Sequence, residues 1–250
     1  MKSVNPVNLM ISQPRYMPAL NYIQRISLCD VVAYLDNVQY TPRDWENRNK
    51  VKTADGWMWL SVPVVHVRRG QLIKDTRIDD SFNWRRKHIH SIRQWYHGAP
   101  FFRRYFPQIE RILGTRYDFL IDLNHAVLGF LLEEFQIECR FVLASELDVT
   151  GAGADLLVEI CGRLGADAYV SGPLGRNYIS GEKFRSAGIE IYYHDYIHPE
   201  YAQLFGGFQP YMSAIDILFN CGDDGFAVMS AGNVKKEEVR ERSCSGGAPR

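Results

Sequence analysis

From Val7 to Leu35 the apolar positions change period twice, and the changes mark a strand, a helix and a second strand. Val7 to Ser12 reads as a buried strand. Ile11-Ser12-Gln13-Pro14 closes it, because proline has no amide hydrogen and biases the residue before it away from helix. Pro18 suits a first helical turn. Leu20, Ile23, Ile26 and Leu28 then give a helical stripe. Asp30 to Leu35 is a second apolar run, rich in β-branched and aromatic residues, and it ends at Asp36. Strand, crossover helix and strand make a βαβ unit, and ligands bind at the carboxyl ends of such strands. Gln13 and Asp36 fall at that edge.

The pattern continues with a strand at Gly56 to Val65, after the turn Ala54-Asp55-Gly56. Three helical segments follow. Phe82 to Tyr96 is anchored by Trp84, Ile92 and Trp95, Pro100 opens a helix reaching Ile112, and Tyr117 to Phe135 carries a leucine-rich face. Glu138 to Ala144, Ala168 to Val170 and Ile189 to Tyr193 read as further strands, with a helix at Asp155 to Leu164. The repeated order of strand and helix predicts an α/β fold, an open, mainly parallel Rossmann-like sheet flanked by helices. The expectation is one domain over residues 1–234 with a helical insertion at about 82–136, and a disordered polar tail over 235–250.

Composition narrows the function. The 250 residues carry 29 basic and 29 acidic groups, and this balance argues against a general nucleic-acid surface. No run approaches the ~20 apolar residues that span a bilayer, and no secretion signal is seen, so a cytoplasmic protein is expected. The five cysteines are scattered without CxxC spacing, which supports neither a zinc site nor a disulfide framework. His88 and His90, two apart on a helix, face different ways and cannot share a metal.

The candidate chemistry lies after strand ends. Thr41 to Lys52 carries Arg43, Arg48, Lys50 and Lys52 among Trp45, Asn47 and Asn49. It reads either as a solvated loop docked by its tryptophan or as an anion clamp for phosphate or carboxylate. Ser171-Gly172-Pro173-Leu174-Gly175, reaching Tyr178, is a glycine-containing turn after a buried strand. Its glycines serve turn geometry alone, or let backbone amides approach a phosphate. Asp216, amid apolar neighbours, either caps a loop or orients a basic ligand group.

Five stretches resemble the WbqC-like protein family. They are Ile11 to Pro18 (ISQPRYMP), Leu35 to Tyr40 (LDNVQY), Trp45 to Thr53 (WENRNKVKT), Tyr169 to Gly172 (YVSG) and Ser213 to Gly222 (SAIDILFNCG). The resemblance implies a context of bacterial polysaccharide and O-antigen biosynthesis, with a suggested role in adding an amino acid to a sugar. A fainter similarity links Asn37-Val38-Gln39-Tyr40 and the preceding unit to pantothenate synthetase, which makes an acyl-adenylate. It implies a HUP/nucleotidyltransferase-like sheet and use of ATP with Mg²⁺, although the His-x-Gly-His element of those enzymes is absent.

The expected function is therefore a transferase or amide-forming ligase acting on a small molecule, a sugar nucleotide or amino acid. The alternatives are a glycosyl- or acyltransferase without ATP, and a non-catalytic sugar-nucleotide-binding component. Asp36, Arg48 and Lys52 are the candidate catalytic residues. Gln13, Pro14, Tyr16, Gln39, Tyr40, Asn47, Lys50, Ser171, Gly172 and Tyr178 are the candidate binding residues.

Overall fold

A computed structural model describes residues 6–244. Its centre is a five-stranded sheet of β1 (Asn8–Ser12), β2 (Val31–Tyr34), β5 (Arg140–Leu143), β6 (Ala168–Ser171) and β7 (Glu190–Tyr193), in the order β5-β2-β1-β6-β7. Every pairing is parallel, with Ser12 opposite Tyr34 and Ser171 opposite Tyr193. The inner strands are covered on both faces, so they read as nearly unbroken apolar runs. Edge strands β5 and β7 are only half-buried.

Two apolar clusters sandwich this sheet. Met10, Val32, Tyr34 and Val170 point into one, with α1 (Leu20–Ser27), α2 (Trp84–Tyr96), α3 (Phe102–Gly114), α4 (Leu120–Glu134) and α7 (Ile215–Cys221). Leu9, Ile11, Val31, Ala33 and Tyr169 point into the other, against α5 (Gly153–Arg163) and α6 (Gly181–Ser186). The alternation along each strand follows from its two-residue side-chain period. Helices α2 to α4 occupy the stretch expected to be helical and connect β2 to β5.

Two segments differ from the expectation. Arg48 to Lys52 is not a loop but most of strand β3 (Arg48–Thr53), which pairs antiparallel with β4 (Gly56–Ser61) in a separate hairpin. Its apolar content is low because buried Asn49, anchored to Met17 O at 2.7 Å, takes a place where a strand usually shows an aliphatic residue. The start of the expected tail is also ordered. After α8 (Gly225–Ser230), α9 (Lys236–Cys244) docks with Val239 fully buried, while Lys236 and Arg240 pair with Asp30 at 2.7 and 2.6 Å. A single apolar residue among charges gives no amphipathic stripe in the sequence, and the contacts of this helix include the two ion pairs, the buried valine and a hydrogen bond from Lys236 Nζ to Cys29 O at 2.8 Å. The rest of that tail, 245–250, lies outside the described residues. No helix among the described residues is long and apolar enough to cross a membrane.

Candidate functional site

The strand order reverses between β1 and β6. The chain leaves β1 to α1 on one face, while α5 on the other face delivers it to β6. In an open parallel sheet this reversal opens a crevice outside the carboxyl ends of the two strands. A cleft of 630 Å³ occupies that position. Its floor is Ile11, Ser12 and Gln13 at the end of β1 and Gly172 after β6, and its walls include Tyr22 and Arg25 on α1, Gly153 and Leu156 on α5, and the 173–178 turn.

Two guanidinium groups dominate its electrostatics. Arg15 and Arg25 lie 5.0 and 5.7 Å from the centre of the Tyr22 ring, whose hydroxyl donates to Gln13 O at 3.0 Å. Arg25 reaches Ser12 Oγ at 3.4 Å, and its Nε is buried with no hydrogen-bond partner. A Cβ on Gly172 would sit 2.5 Å from Arg25 Nη1, so the absence of a side chain there lets the guanidinium lie against the turn. Burial first, then the charge of Arg25, hold the Arg15 guanidinium below its usual range. Neither group forms an ion pair among the described residues. No carboxylate of the described residues lines the cleft. Asp44 and Glu46 are near enough for Arg15 to sense their charge, but burial pushes the Glu46 carboxyl up to about 7, which weakens that compensation near neutrality.

His194 follows β7 and forms part of the same wall. Burial and the charge of Arg25 lower its pKa to about 4, so the ring is neutral at physiological pH. The cleft therefore combines two cations that have no paired anion among the described residues, a neutral imidazole, and the hydroxyl and amide groups of Ser12 and Asn21, while the Asn49 amide is engaged by Tyr16 O and Met17 O. Such a donor set suits phosphate or carboxylate oxygens.

Of the residues expected from sequence, Gln13, Gly172 and Tyr178 line the cleft. Ser171 is buried beneath, its Oγ donating to Gly172 O at 3.1 Å. Pro14 is buried at the turn, and the Tyr16 hydroxyl pairs with His88 Nδ1 at 2.9 Å inside the core. Asp36 is sealed at the end of β2, where it accepts from the Ser145 amide at 2.9 Å and from Ser145 Oγ at 2.5 Å, and it does not line the cleft. Gln39 is exposed and bridges to Leu72, while Tyr40 is buried with its hydroxyl unpartnered. Asn47 donates to Val62 O at 2.9 Å.

The three basic residues of β3 also stand apart from the cleft. Arg48 lies 4.3 Å over the Trp59 ring and Lys50 4.3 Å over Trp57. Lys52 donates to Gly206 O at 3.0 Å, and its backbone amide donates to the Tyr96 hydroxyl at 2.9 Å. That hydroxyl belongs to a buried network around Asp216, which accepts from Tyr96 at 3.1 Å, Tyr201 at 3.1 Å and Gln203 at 3.0 Å. Asp216 ties α7 to its surroundings and serves the fold. From the Thr41 to Lys52 segment, Trp45 and Asn49 are the residues that reach the cleft.

Arg15, Tyr22, Arg25 and His194 are cleft residues that sequence reasoning misses. The signals exist: Arg15 stands two places beyond the strand-ending Gln13, and His194 directly follows a strand, the position that singles out Gly172. Tyr22 and Arg25 are three apart on a helix and share a face.

ATP and Mg²⁺ fit this donor set unequally. Arg15 and Arg25 suit a polyphosphate, but the described residues of the cleft offer no carboxylate for Mg²⁺, and the described residues hold no group of three or more His, Cys, Asp or Glu arranged for a metal.

The model of the WbqC-like protein family matches residues 13–228. The chain is also 33% identical over 215 residues to "Uncharacterized protein Rv1507c" of Mycobacterium tuberculosis, covering 85% of this chain and 93% of that one. No solved structure matches it. A family match that runs from the end of β1 to α8, taking in both sides of the cleft, leads to one statement: the chain belongs to the WbqC-like protein family.

Proposed function

We propose that this protein is a transferase or amide-forming ligase of bacterial surface polysaccharide biosynthesis, which adds an amino acid or other acyl group to an amino sugar or its nucleotide-linked form. The observation that carries this reading is the pair of guanidiniums, Arg15 and Arg25, lining a cleft without carboxylates among the described residues, at the switch point of a parallel sheet. A ligand there is anionic, and a phosphate-bearing donor or acceptor supplies the charge. The 630 Å³ are in the range of a nucleotide-sized ligand. If ATP is the donor of activation, Arg15 and Arg25 hold its phosphates, and Mg²⁺ arrives with the phosphate oxygens rather than on protein ligands. The polysaccharide context comes from the resemblance described above and is part of the proposal.

Calorimetric titration with ATP, a UDP-sugar and coenzyme A tests this directly. At least one phosphate-bearing ligand binds, and Arg15→Gln weakens it about 10–100-fold, the loss of one charge-assisted contact of ~1.5–3 kcal/mol. Failure of all of them to bind, or undiminished binding by Arg15→Gln, contradicts the reading.

A further inference from the structure

The ring of His194 is held from two directions. Its backbone amide donates to Ser171 O at 2.9 Å, which registers it to the end of β6, and its Nε2 pairs with Oε1 of Gln24 on α1. The other end of the Gln24 amide fixes the sense of that bond. Gln24 Nε2 donates to Val234 O at 3.1 Å, so Gln24 turns its oxygen toward the imidazole. An amide oxygen only accepts, and the imidazole Nε2 must therefore carry the hydrogen. In a neutral ring this leaves the lone pair on Nδ1, the arrangement of a proton acceptor.

The charged groups around the ring are few. Arg25, from α1, disfavours a second proton. Asp195 favours one, but its two oxygens are occupied by Arg176 at 2.7 and 2.6 Å. The Tyr196 ring lies tilted beside it, 5.7 Å between centres, and brings no charge at neutral pH. The positive potential of Arg25 is thus the electrostatic obstacle that a bound anion would cancel.

We propose that His194 is the group in this cleft that takes up a proton, at Nδ1, with Gln24 as its positioning residue, and that an anionic ligand held by Arg15 and Arg25 enables the uptake. The inference rests on the anion-binding reading above and adds the chemistry that reading lacks. In the transfer, the acceptor amine forms an N–C bond to an acyl carbon activated as a phosphate-linked mixed anhydride. The C–O bond to phosphate breaks, the amine proton passes to His194 Nδ1, and the departing phosphate remains with the two arginines.

The test is nitrogen NMR on the full chain labelled at histidine, titrated between pH 5 and 8 with and without UDP-N-acetylglucosamine. Each phosphate of that probe carries one ester and the shared anhydride bond and so has only one strongly acidic oxygen, which fixes its charge over the range. In the free protein His194 is a neutral Nε2–H tautomer throughout. With saturating probe the proton affinity of the ring rises about tenfold or more, and between pH 8 and pH 5 calorimetric affinity for the probe strengthens about twofold or more. His194→Gln binds the probe at pH 8 and loses that pH dependence. Binding that leaves His194 unmoved, or a free protein with the hydrogen on Nδ1, overturns this inference alone. Absence of binding by this probe alone overturns this inference as stated, and absence of binding by this probe, ATP and coenzyme A alike overturns the anion reading with it.

Discussion

Gly172 is the residue through which α1 and β6 share one guanidinium. Its missing side chain leaves room for Arg25 Nη1, which a Cβ would approach to 2.5 Å. Because the obstructed group is the far end of a flexible side chain, Gly172→Ala is expected to keep its melting temperature within a few degrees and to lose about tenfold in affinity for a phosphate-bearing ligand, read by calorimetry. An unchanged affinity would show that Arg25 takes no part. At this scale the sequence was legible where a strand ends in a turn. Gln13, Gly172 and Tyr178 follow from that rule and line the cleft. Asp36 obeys the same rule, yet Ser145, more than a hundred positions away, engages both its carboxylate oxygens. Arg25 was hidden for the opposite reason, since an arginine in the last turn of a helix reads as solvated surface until tertiary packing turns it inward.

Among the elements, the β3–β4 hairpin and α7 meet at Asp216. Charged residues at alternate positions of β3 disguised a strand, and the side chains of Arg48 and Lys50 lie over the aromatic faces of Trp59 and Trp57 on β4. Buried Lys52 lies close enough to Asp216 to favour its charged form, as do the hydroxyls of Tyr96 and Tyr201, but burial outweighs them and raises the carboxyl to about 6. A folded pKa above the unfolded value means that the proton stabilises the fold. That contribution is complete below pH 3.8, the ordinary value, and is lost as pH rises through about 6. Urea unfolding of wild type and Asp216→Asn at several pH values should show the wild type losing about 3 kcal/mol relative to the variant across that window, with no further change above it. A difference independent of pH would mean that Asp216 is not buried in the way described.

For the whole molecule, the order β5-β2-β1-β6-β7 decides where chemistry takes place. The parallel strands were legible because helices cover both faces and leave unbroken apolar runs, whereas their order in the sheet was not. What lay beyond sequence was which cationic side chains the order gathers. Arg48, Lys50 and Lys52 are close in sequence but belong to a hairpin outside the sheet, whereas Arg15 and Arg25 are ten positions apart and converge on one tyrosine ring. Everything proposed for this cleft therefore depends on where an anion settles. Crystals soaked in tungstate, a heavy oxyanion of phosphate-like shape and charge, locate it by anomalous diffraction. The strongest peak is expected within hydrogen-bond reach of Arg15 and Arg25, beside Gly172. Tungstate gathered at Arg48 and Lys50 on the hairpin, with none between Arg15 and Arg25, would contradict the assignment of the cleft.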